Sequence, residues 1–255
     1  MKADLQEALA HKLLALADDE LILGHRDSEW TGHAPILEED IAFANIALDE
    51  LGHAKTWYCL LADLIGEDRE TYPDRLVFFR EAADYRHLQM VELPKGDWAF
   101  TIVRQYLFDA AEVTRLEQGA QSKHQPVAEA AAKIRQEELY HYRHTQAWLK
   151  RLGLAMEESR RRMQNALNQL WPYAAQLFVP LPGESLLVQA GFVPAPERLR
   201  SAWEQLVLPQ LAQADLTIPV NAAAITVQRD RHTPHLAALL AELQEVARLN
   251  PGAAW

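Results

Sequence analysis

A carboxylate paired with an imidazole, twice over, constrains this chain more than any other feature. Glu50-Leu51-Gly52-His53 and Glu138-Leu139-Tyr140-His141 both read Glu-x-x-His. Positions i and i+3 of a helix share a face, so each motif aims its two groups in one direction. Both motifs also sit inside apolar stripes of helical period. Phe43, Ile46, Ala47, Glu50, His53 and Trp57 follow one face, and Val127, Ala131, Ile134, Glu138, His141, Thr145 and Trp148 follow another. An acid placed in an apolar stripe is costly unless it is paired or bound to a metal.

Two further stripes carry acids. Leu9, Leu13, Leu16, Glu20 and Leu23 form the first, and Glu20 interrupts it. Ile102, Val103, Tyr106, Ala110 and Val113 form the other, with Asp109 closer to the stripe on a helical wheel than Glu112, its alternative. Two Glu-x-x-His helices plus one acid from each of two more is the ligand arrangement of carboxylate-bridged di-iron and di-manganese bundles. Carboxylates and imidazoles suit those metals. The candidate metal ligands are therefore Glu20, Glu50, His53, Asp109 (or Glu112), Glu138 and His141. The same residues could instead fill a core as a buried polar network.

The chain between and around these motifs reads as helix. Good helix formers dominate, and Gly 10 and Pro 13 are low for an all-β protein. Helices are expected over about 5–28, 36–66, 99–119, 125–153 and 159–177, from Pro196 onward, and over 235–249. Pro209 should kink or end the helix that Pro196 opens. The stretch from Asp68 to Trp98 is less periodic, with helix possible over 76–84, and Ile218–Val227 is the best strand candidate. The fold class is all-α, a four-helix bundle over about 5–153 with extra C-terminal helices over about 154–255, in one domain.

Composition excludes several functions. A net charge of −11 argues against nucleic acid and anionic membrane surfaces. No apolar run approaches the roughly 20 residues of a membrane span, and no leader is recognisable. Cys59 is the only cysteine, so there is neither a disulfide framework nor a thiolate zinc cluster, and a reducing cytoplasm is the natural setting. There is no glycine-rich phosphate loop and no nucleophile elbow. Asp18, Asp19 and His144 read as solvated, and Arg160-Arg161-Arg162 reads as a wet helix face.

Several runs resemble the C subunits of phenylacetyl-CoA epoxidase, the PaaC group of the phenylacetic acid degradation family. They are Glu29-Trp30-Thr31-Gly32-His33-Ala34-Pro35, Asp40-Ile41-Ala42, Ala44-Asn45-Ile46-Ala47-Leu48-Asp49, Arg104-Gln105-Tyr106 with Asp109, and His232-Thr233-Pro234-His235-Leu236 through the closing Pro251-Gly252 and Trp255. The resemblance implies a ferritin-like fold and a place in a multicomponent monooxygenase complex that epoxidises the ring of phenylacetyl-CoA in aerobic phenylacetate catabolism. It implies a structural role beside a catalytic di-iron A subunit, other complex subunits as partners, and room for self-association. C subunits of the family lack the full ligand set; here all six positions are ligand-competent, which supports the rival reading of a di-metal oxidase or oxygenase subunit. The site then holds two Fe or Mn ions, or none if it is vestigial. Because the chain is acidic, any CoA contact must be locally basic.

Overall fold

Each acid-bearing stripe finds its partner within a helical hairpin. The computed structural model describes residues 1–220 and 222–253. Its elements are α1 (Ala3–Ser28), α2 (Leu37–Ile65), α3 (Tyr72–Phe78), α4 (Gln89–Glu92), α5 (Trp98–Gly119), α6 (Gln125–Ala155), α7 (Glu157–Ala174), α8 (Glu184–Ala190), α9 (Pro196–Gln213) and α10 (His235–Leu249). Among the described residues there is no strand, and no helix is long and apolar enough to cross a membrane. The chain divides into two compact units, one of residues 1–33, 37–94 and 228 onward, the other of residues 34–36 and 95–227.

In the first unit α1 lies along α2, and Leu9, Leu13, Leu16 and Leu23 are buried with Phe43, Ile46 and Trp57. Gly24 sets how closely the two helices approach. A Cβ there would stand 2.9 Å from the Glu50 Cβ and 3.1 Å from the Ala47 carbonyl oxygen. α1 is buried all round from Ala15 to Gly24, because it also carries the irregular segment that precedes α4. Asp18 and Asp19, expected to be solvated, are fully buried for that reason. Asp18 accepts from the Tyr58 hydroxyl (2.5 Å), the Arg80 guanidinium (2.5 and 3.1 Å) and the Arg86 amide (2.7 Å). Asp19 accepts from the Leu88 amide (2.8 Å) and Arg229 (2.5 Å). α10 packs on α3 and α4, and Gln244 donates to the Val77 and Arg80 carbonyls at 3.0 and 3.1 Å.

In the second unit α5 is the central helix, packed by α6, α7 and α9. The Asp97 side chain caps it by accepting from the Phe100 amide at 2.9 Å. The Trp203 indole donates to the Leu107 carbonyl at 3.0 Å, and its ring sits 5.6 Å from Trp171 and 5.4 Å from Phe178. α9 runs on through Pro209 to Gln213, so the proline does not end it. Pro209 lies on its exposed face, where water can serve the freed carbonyl, while Leu199, Trp203, Val207 and Leu211 keep the buried face continuous. The strand candidate around 218–227 contains Asn221, outside the described residues; its described part forms no ladder. The Ile225 amide instead donates at 2.8 Å to the Pro172 carbonyl near the end of α7. Trp255 also lies outside the described residues. The arginine run is a wet face, as expected, with Arg161 and Arg162 paired to Glu158 and Arg160 paired to Asp215 at 2.5 Å.

Gly153 near the end of α6 has less room for a side chain than the other glycines described. A Cβ would come within 2.2 Å of the Ala214 carbonyl oxygen, a backbone atom that cannot swing aside. Gly153→Ala is therefore expected to cost about 1–3 kcal/mol. Calorimetry should show the melting temperature falling by about 2–4 °C per kcal/mol for a chain of this size.

Candidate metal centre

The six stripe residues lie three on each hairpin; Glu20, Glu50 and His53 stand within ligand distance of one another, whereas Asp109 is held by Gln105 and Thr145 beside the Glu138–His141 helix. α1 and α2 bring Glu20, Glu50 and His53 together. All three are essentially without solvent exposure, and each offers a ligand atom within 4.8 Å of the others. The His53 Nδ1 stands 3.9 Å from the Glu20 carboxylate and 3.8 Å from that of Glu50. The close contact at Gly24, one turn beyond Glu20, is what lets the two acids lie so near each other. Burial, and then the neighbouring Glu50 carboxylate, raise the Glu20 carboxyl well above the usual carboxylate range.

On the α5–α6 hairpin the His141 Nδ1 lies 3.3 Å from Glu138 Oε1, with both residues fully buried. Asp109 accepts from Gln105 Nε2 at 2.9 Å on one oxygen and from the Thr145 hydroxyl at 2.8 Å on the other. The contact with Thr145 turns Asp109 toward α6. Glu112 instead pairs with Arg115 on its own helix. Tyr106 of α5 and Tyr142 of α6 are stacked, their centroids 5.8 Å apart.

The donor set and its environment fit a metal of the iron or manganese class. Neither oxygen of the buried Glu20 carboxylate accepts a hydrogen bond, and such a group is expensive to keep unless something else engages it. The ligands available are hard carboxylate oxygens with imidazole nitrogens, and no thiolate stands among them.

A structural role for the two acids that flank Glu20 is not apparent from the sequence. Asp18 and Asp19 organise the segment from Arg80 to Leu88 by accepting from Arg80, Arg86 and Leu88, and Asp19 also holds Arg229. Two acids that interrupt the otherwise apolar run from Leu13 to Leu23, beside Glu20, are the one signal that points to it.

The family described as phenylacetic acid catabolic protein matches residues 1–255. The chain is 40% identical over 243 residues to the C subunit of 1,2-phenylacetyl-CoA epoxidase from Escherichia coli (strain K12), covering 95% of this chain and 97% of that one. It is 25% identical over 154 residues to the A subunit of the same enzyme, covering 60% of this chain and 48% of that one. Among solved structures, a protein with aldehyde deformylating oxidase activity from Synechococcus superposes with a TM-score of 0.63 at 12% identity, over 85% of this chain and 93% of that one. The all-α, ferritin-like fold expected from the sequence is the fold of this chain.

Proposed function

The chain belongs to the phenylacetic acid catabolic protein family, and we propose that it serves there as the C-type subunit of a phenylacetyl-CoA epoxidase. The observation that carries this reading is the 40% identity to the Escherichia coli C subunit over nearly both full lengths, against 25% over 60% of this chain for its A counterpart. Its principal partner is then an A-type subunit, and its main role is to support that subunit in the complex.

A partner also explains α2. The helix buries one face with Phe43, Ile46, Glu50, His53 and Trp57. On the opposite face Leu37, Ile41, Leu48 and Leu51 recur at helical spacing, and all four are exposed. A second apolar stripe on one helix marks a surface that another protein covers. Co-expression with an A-type subunit should give a complex that survives purification at micromolar concentration. Placing Glu at both Ile41 and Leu48 should weaken it about tenfold or more. Failure of the unaltered chains to associate would overturn the structural-partner reading.

The ligand set favours a second role beside the first. Glu20, Glu50, His53, Asp109, Glu138 and His141 would hold two iron or manganese ions, which when bound supply oxygen chemistry. The chain's own contribution is positional. Gly24 lets Glu20 and Glu50 approach, Thr145 and Gln105 fix the Asp109 carboxylate, and the apolar stripes keep water away from the acids.

A further inference from the structure

A second cluster of histidine and carboxylate lies in the first unit, built from Glu92 of α4, His87 just before it, and His232 just before α10. Glu92 Oε2 lies 2.6 Å from His87 Nε2 and 3.2 Å from His232 Nδ1, and the Thr233 amide donates to Oε1. The other ring nitrogen of His232, Nε2, is 3.1 Å from the Tyr85 carbonyl oxygen. Both nitrogens of His232 thus face atoms that can only accept, so both must carry hydrogen. His87 differs. Its Nδ1 is buried with no partner, and burial lowers its pKa, so it stays neutral with its proton on Nε2.

A shared metal ion does not suit this cluster. Two ligands at 2.0–2.1 Å from one ion in tetrahedral geometry stand about 3.3 Å apart, whereas His87 and Glu92 are at hydrogen-bond distance. The two imidazoles are stacked, 4.6 Å between centroids and 26° from parallel, so their in-plane lone pairs run side by side instead of converging.

We propose that His232 is an imidazolium and that it forms, with Glu92, a proton-held latch fastening the C-terminal arm, residues 228–249, onto the N-terminal helices. The His232-Thr233 pair grips Glu92 with two donors while Glu92 is itself anchored, since its carbonyl accepts from the Arg26 guanidinium at 2.8 and 3.3 Å. The charged and titratable groups near His232 include Glu92, His87 and Tyr85 on the α4 side, its chain neighbours Asp230 and Arg231, Arg229 tied to Asp19 and to the Arg86 carbonyl, and, through the Glu92 carbonyl, Arg26. Farther along α10, Glu242 faces His25.

Burial alone would push the Glu92 carboxyl up, but hydrogen bonds from His232 and His87 override it and bring it down to about 2. Its contribution to stability is therefore present above its ordinary value of 4.5 and is lost only as the pH falls through about 2. The hydrogen on His232 Nδ1 is the one that the C-terminal arm's imidazole supplies to Glu92. Its removal would set a bare Nδ1 lone pair against Glu92 Oε2 and open the latch.

The test is made on the full chain. Nitrogen-15 NMR at pH 6 should show both ring nitrogens of His232 protonated. Hydrogen exchange of the α10 amides, corrected for its intrinsic pH dependence, should speed up about tenfold between pH 6 and pH 9, the loss of one charge-assisted hydrogen bond. In Glu92→Gln the exchange should be fast at both pH values, while His235→Gln, altered just outside the cluster, should keep the wild-type response. A neutral His232 signature at pH 6, exchange that does not change with pH in the wild type, or exchange accelerated by a chelator at constant pH would each overturn the latch.

Discussion

Glu20→Leu should raise the melting temperature of metal-free protein and at the same time abolish its uptake of iron or manganese. The two effects come from one fact. Glu20 is fully buried and neither of its carboxylate oxygens accepts a hydrogen bond. A buried polar group left in that condition costs about 1–3 kcal/mol. An apolar side chain of similar size removes the cost and adds packing with Leu16 and Leu23 on the same stripe. The gain should appear in calorimetry as about 2–4 °C per kcal/mol. With metal present the order reverses, because an ion bound only by the folded chain stabilises it by mass action. Elemental analysis of protein made with iron or manganese supplied should then find about two ions per chain in the wild type. It should find none in the double variant Glu50→Ala, Glu138→Ala. If the six residues were instead a polar network filling the core, Glu20→Leu would break it. The metal-free protein would melt lower, and wild type and variant would both lack metal. That pair of results would end the di-metal reading and leave the partner role alone.

All six candidate ligands could be read from the sequence for the same physical reason that makes Glu20 costly. A carboxylate on a wet helix face says little, but one that interrupts a run such as Leu9, Leu13, Leu16 and Leu23 needs a reason to be there. The long helices were legible because period and capping are local properties; Pro126 and Pro196 stand in the first turns of α6 and α9, where proline belongs. What could not be read is what depends on residues far apart in the chain. The segment from 79 to 88 has little pattern of its own, because its backbone is held by Asp18 and Asp19, more than sixty residues earlier. For the same reason those two acids looked solvated, since no period in α1 announces that an irregular segment will cover its second side. Pro209 shows the same dependence on packing, since it does not end α9. Its cost depends on which face it occupies, and only the packing of Trp203 and Val207 shows that its face is the wet one. Asp109 and Glu112 were close on a helical wheel, and the choice between them turns on Thr145 and Arg115, neighbours that a wheel does not contain.

Arg80→Ala should be the most destabilising single change in the first unit, by about 3–5 kcal/mol. Its guanidinium holds Asp18 with two donors, at 2.5 and 3.1 Å, and lies 4.0 Å over the Tyr85 ring. Asp18 has no solvent exposure. Removing Arg80 leaves its charge to the Tyr58 hydroxyl and the Arg86 amide alone. Burial, and then the Asp18 carboxylate, push the Tyr58 hydroxyl well above the usual phenol range, so it remains a donor at any ordinary pH but brings no compensating charge. The carbonyl of Arg80 also accepts from Gln244 and Arg248, so the loss of its side chain should loosen the seat of α10. Urea denaturation would measure the loss. The double variant Asp18→Asn, Arg80→Ala should recover a large part of it, because no uncompensated charge then remains in the core. If the double variant were less stable than the two single losses added together, the penalty would lie in lost arginine packing over Tyr85 and not in the buried charge.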